Sequence, residues 1–71
     1  MKDVLVFLKS GETMTHEDVY DDDAKMLEDL FLSESKSVVK LPDSSGISLF
    51  RIVDVAGIII NEPPKVKRVS L

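Results

Sequence analysis

The chain is 71 residues long, carries a net charge of −4, has no cysteine, and is 44% hydrophobic against 31% charged. That composition describes one small globular domain, removes disulfides and thiolate metal sites, and argues against a large nucleic-acid partner, whose phosphates require a field of Lys and Arg. A small anion is still compatible with it, and so much apolar side chain in so small a sphere predicts self-association.

Met1 is followed by Lys2, Asp3 and a five-residue apolar run. That run is too short for the apolar region of a signal peptide and has no small-residue cleavage site after it. The longest apolar stretch, ISLFRIVDVAGIIIN at 47–61, is interrupted by Arg51, Asp54 and Gly57. It is too short to cross a bilayer, which takes about 20 apolar residues. The expectation is a cytoplasmic protein without membrane contact, its organising stretch buried by protein.

In chain order, Val4, Leu5, Val6, Phe7 and Leu8 read as a strand that ends at Lys9, Ser10 and Gly11. Both of its faces are apolar, so Val4, Val6 and Leu8 fill a core while Leu5 and Phe7 call for a second layer, a helix or another subunit. Residues 12–19, with Met14 and Val19 as apolar members, suit a polar strand paired antiparallel to the first. Asp21, Asp22 and Asp23 then precede AKMLEDLFL, which is a helix start: Asp favours the N-cap and the positive end of the dipole. The helix is predicted over 22–33, with Ala24, Leu27, Leu30 and Phe31 as its apolar face.

KSVVKL at 36–41 reads as a short strand, PDSSG at 42–46 as a turn, and 47–52 as the returning strand of a hairpin. Asp54, Ala56 and Gly57 break the alternation, which predicts a bend or short helical turn near 53–56 before a last strand at 58–61. Pro63 and Pro64 end that strand, because proline donates no ladder bond. Residues 1–64 therefore form a single domain, and KVKRVSL at 65–71 is a basic tail, either disordered or added as an edge strand to a neighbour.

VLVFLKSG early and LFRIVDVAGIII late resemble the strand patterns of Sm-like and wider SH3-like small β-barrels. The resemblance implies a bent sheet that oligomerises through strand edges. The Arg-Gly pair of the second Sm signature is absent around Arg51 to Gly57, and the acidic balance opposes an RNA ring, so RNA binding does not carry over. The chain is also similar to small accessory proteins of phages and prophages of Gram-positive bacteria, in the LKSGE of 8–12 and the AGIIINEP of 56–63. That likeness implies a counter-defence factor that binds a bacterial enzyme or sequesters a nucleotide signal.

The candidate sites are few. Glu17, Asp18, Asp21, Asp22 and Asp23 lack the alternating acids, glycine and terminal glutamate of a calcium loop, so they read as helix capping and solvated surface, with no metal and no cofactor expected. His16 has no nucleophile motif to serve and reads as a surface residue on a polar strand. No phosphate loop can be drawn from three isolated glycines. Arg51 and Asp54 either pair with each other or emerge at a surface. Arg51, with Lys40 from the facing strand, offers a fork to a phosphate or carboxylate between subunits. Tyr20 stacks on a ligand ring or caps the helix.

The resulting expectation is a non-enzymatic α+β protein: a small, strongly bent antiparallel sheet of the SH3/Sm-like kind, of about five strands, with one helix between strands 2 and 3. It assembles as a homo-oligomer that buries Leu5, Phe7, Phe50 and Ile59. Its function is to bind or sequester a small anionic ligand such as a nucleotide signal at a subunit interface, through Arg51, Lys40, Asp54 and Tyr20. The alternative is a protein–protein module that inhibits or adapts a host protein.

Overall fold

The structure, a computed structural model, describes residues 1–62. The expected basic tail at 65–71 lies outside the described residues. Five strands and one helix follow in the order β1 (Lys2–Leu8), β2 (Thr13–Val19), α1 (Asp21–Leu32), β3 (Val38–Asp43) and β4 (Gly46–Arg51), then a 3-10 turn (Ile52–Asp54) and β5 (Val55–Asn61). The α+β class, the five strands and the place of the helix agree with the sequence reading. Where one bent sheet was expected, the ladders form two: a three-stranded sheet in the order β2-β1-β5 and the two-stranded hairpin β3-β4, both antiparallel.

β1 is apolar on both faces because it is the central strand of its sheet. On the inner face Val4 and Val6 are fully buried, opposite His16 and Met14 of β2 and Ile60 and Ile58 of β5. On the outer face Leu5 lies between Thr15 and Ile59, and Phe7 between Thr13 and Gly57. The second layer on the inner side comes from α1, whose Ala24 and Leu27 are buried with Val4, Val6, Val19, Val39, Leu41, Ile52 and Val55. Burying a leucine such as Leu27 stabilises by about 2 kcal/mol at the usual area coefficient.

The helix begins with its three aspartates in the first turn, where they face the positive end of the dipole. No side chain caps it. Tyr20 occupies the N-cap position, and its carbonyl accepts from the Ala24 amide at 3.0 Å. The N-terminal ammonium of Met1 adds an ion pair to Asp21 at 3.2 Å. At the other end the Ser35 amide donates to the Leu30 carbonyl at 3.0 Å and the Glu34 amide to Phe31 at 3.1 Å, with Glu34 at a φ of 54°. This is a Schellman closure, with a glutamate where glycine is the usual choice.

Two bulges shape the first sheet. Val4 faces His16 but Lys2 faces Val19, so β2 carries one extra residue at Glu17–Asp18, with Asp18 at a φ of 58°. The extra residue turns both His16 and Val19 inward, which strict alternation forbids. A second bulge lies at Ala56, because Phe7 faces Gly57 while Leu8 faces Val55.

Among the described residues no ladder joins the two sheets; packed side chains and a backbone hydrogen bond do. The Ser44 amide in the hairpin turn donates to the Glu17 carbonyl of the first bulge at 2.9 Å. At the opposite end the Ile52 amide donates to Ser37 at 3.1 Å, extending the hairpin itself, and the Lys9 amide donates to Asp54 at 2.8 Å, tying the end of β1 to the 3-10 turn that follows β4.

Candidate functional site

The expected ligand-binding residues separate. Arg51 Nε donates to Asp54 Oδ2 at 2.9 Å, both side chains being largely exposed beside the 3-10 turn. Lys40 shares with Arg51 the outer face of the hairpin, since Val38 faces Arg51 and Lys40 faces Leu49 across the ladder. Tyr20 stands apart, exposed at the far end of the hairpin beside Met1, Pro42 and Ser44. Its ring neither caps the helix nor reaches Arg51, which sits at the other end of the same ladder. A fork offered by Arg51 is therefore already half engaged by its neighbour.

The hairpin's outer face is more apolar than a solvated surface needs. Val38, Ile47 and Leu49 are 63%, 60% and 69% exposed and alternate with Lys40 and Arg51. The inner face carries Val39, Leu41 and Phe50 against the core. Phe50, expected among the residues covered by oligomerisation, is thus turned inward, where its ring stacks on His16 at a centroid distance of 6.3 Å.

His16 is not a surface residue: only 2% of it is exposed. Its Nδ1 lies 2.7 Å from Asp43 Oδ2, and both side chains are buried. The remaining oxygen, Oδ1, accepts from the Ser45 amide, the Ser45 hydroxyl and the Gly46 amide at 2.8 to 3.0 Å, closing the hairpin turn. The His16 hydrogen bond, followed by those from Ser45, lowers the Asp43 carboxyl to about 2. An ionised carboxylate only accepts, so His16 donates from Nδ1. Nε2 is buried with no partner among the described residues. Alternation sets His16 on the same face as Met14, a signal that the charged residues following it concealed when it was read as a surface residue.

The acidic residues around the start of α1 do not gather. Among the described residues no three His, Asp or Glu side chains stand close enough to hold a metal ion.

Two clefts open beside the helix. One, of about 550 Å³, lies between α1 and β5 against Phe31, Leu32, Ile58 and Ile60; its single cation, Lys2, is paired with Glu62. The other, of about 320 Å³, lies where the helix ends, over Phe31, Ile52 and Val55, with Lys9 and Lys36 on its rim. Sequence reasoning missed this one, because its lining comes from three separated stretches of the chain.

Neither a family model, nor a curated protein, nor a solved structure matches the chain. Fold and surface alone define a small α+β domain with an apolar, cation-bearing hairpin face.

Proposed function

We propose that this protein is a non-catalytic interaction module that docks on another protein through the outer face of the β3-β4 hairpin, as an accessory factor inhibiting or adapting that protein. The observation that carries it is the exposure of Val38, Ile47 and Leu49 together on one two-stranded ribbon. Scattered apolar side chains need no explanation, but a contiguous strip rimmed by charge marks an interaction surface. Lys40 makes no ion pair among the described residues, and Arg51 stands beside it. In a chain of net charge −4, a cationic face selects a partner that presents apolar side chains edged with carboxylates. Among the described residues β4 has β3 as its one neighbour in the sheet, so a partner strand has an edge on which to add.

A barrel-like ancestry of the SH3 or Sm kind is part of this reading, supported by the return of β5 onto β1 after a one-turn bend. Self-association is a second reading for the opposite sheet, where Leu5, Phe7 and the 45% exposed Ile59 share the outer face.

The test compares wild type with Leu49→Lys and with Ile59→Lys. Both sites are exposed, so stability should shift by no more than about 0.5 kcal/mol. The expected result is one stoichiometric protein retained from host lysate by wild type and Ile59→Lys and lost with Leu49→Lys. Retention by Leu49→Lys overturns the proposal. So does a wild-type dimer in sedimentation that Leu49→Lys dissolves, since the face would then belong to a second copy.

A further inference from the structure

Three features lie outside the docking face: the buried His16–Asp43 pair, the apolar groove beside β5, and the cleft at the end of α1. The pair is enclosed, and the groove's cation is engaged. The cleft has what the others lack, an apolar floor under cations that form no ion pair among the described residues.

Its floor is Phe31, Ile52 and Val55, and its rim carries Lys9 and Lys36, exposed and without an ion-pair partner among the described residues. The nearby anions are largely accounted for. Asp54 is engaged by Arg51, and the helix carbonyls of Leu30, Phe31 and Asp29, which would repel an anion, accept amide hydrogens from Ser35, Glu34 and Ser33. One carboxylate remains on the wall, Glu34, held at a positive φ by the helix closure. Two cations against one anion make a positive spot on an acidic protein. Its volume of about 320 Å³ falls in the range of small-molecule sites.

We propose that this cleft binds a small organic anion: one phosphate or carboxylate, held between Lys9 and Lys36, on a flat apolar body laid over Phe31, Ile52 and Val55. The lysines supply point charges that accept either anion. The apolar floor makes the body as necessary as the charge, and Glu34 accepts a hydrogen bond from an amino group on the body's edge.

The probes are adenosine 5′-monophosphate and indole-3-acetate, with adenosine and inorganic phosphate as controls that each lack one half. Titration of the full chain, followed by amide chemical shifts, should show at least one of the two organic anions saturating the amides of Lys9, Lys36 and Val53. The controls should bind at least tenfold more weakly. The double variant Lys9→Ala/Lys36→Ala should weaken binding at least tenfold, and the double arginine variant should restore it. Val53→Glu, which brings a carboxylate to the exposed wall, should abolish binding independently. Leu49→Lys should leave it intact, which separates this site from the docking face. Failure of both organic anions to bind, binding that survives the double alanine variant, or equal binding of adenosine or of phosphate alone overturns the proposal.

Discussion

Asp43 serves two structures with its two oxygens: one closes a hairpin turn and the other holds a histidine 27 positions away. Replacing it with asparagine removes the charge that His16 and Ser45 were placed to meet. Asp43→Asn should cost about 1.5 to 3 kcal/mol in urea unfolding, the range for hydrogen bonds to a charged group. The pH dependence follows from the same contacts. The carboxyl sits lower in the folded chain than in the unfolded one, so its stabilisation is complete above the ordinary value of 3.8 and is lost as pH falls through about 2. Unfolding free energy measured from pH 5 to pH 2 should fall, and Asp43→Asn should remove that part of the slope. At Glu34 the reverse outcome is expected. A non-glycine residue at a φ of 54° is strained by about 1 kcal/mol, so Glu34→Gly should raise the unfolding midpoint. A turn was legible in PDSSG because turn chemistry is local; expected over 42–46, it is confined to Ser44 and Ser45, with Pro42, Asp43 and Gly46 paired in the strands. The His16–Asp43 pair was not, because nothing in a strand's own pattern says which distant carboxylate will face it.

Among the elements, the helix was the most legible: predicted over 22–33, it runs over Asp21–Leu32. Its acidic start and its apolar spacing depend only on neighbours one turn away. The bulge at Glu17–Asp18 was hidden, since one extra residue in a strand is visible only against its partner. Its effect is large, for it brings His16 and Val19 to the same face and offers the Glu17 carbonyl to the hairpin turn. The helix binds both sheets to one core through Leu27, which is fully buried. Leu27→Ala should destabilise by about 2 to 5 kcal/mol, the range for a truncated core leucine, read by thermal or urea unfolding. In a domain this small, that loss removes much of the total stability.

At the scale of the whole molecule, the surplus of apolar side chains was legible from composition, but its distribution was not. The sequence reading placed Phe50 outside and gave Val38, Ile47 and Leu49 no role. The structure turns Phe50 onto His16 and leaves those three on the hairpin's outer face. Alternation does not state which face of a strand meets the core, and in a hairpin with apolar residues on both faces the choice is made by the helix and the opposing sheet.

Among the described residues the hairpin meets the three-stranded sheet through side chains, the His16–Asp43 hydrogen bond among them, and through the Ser44–Glu17 backbone hydrogen bond, with no shared ladder. A lone two-stranded ribbon is marginally stable in water. Its backbone should therefore open to solvent more often than the middle of the three-stranded sheet, and amide hydrogen exchange should be faster in β4 than in β1. The surface offered to a partner would then sit on the least protected part of the fold. Docking would leave a kinetic signature there, slowing exchange in the hairpin while the rates in β1 stay where they were.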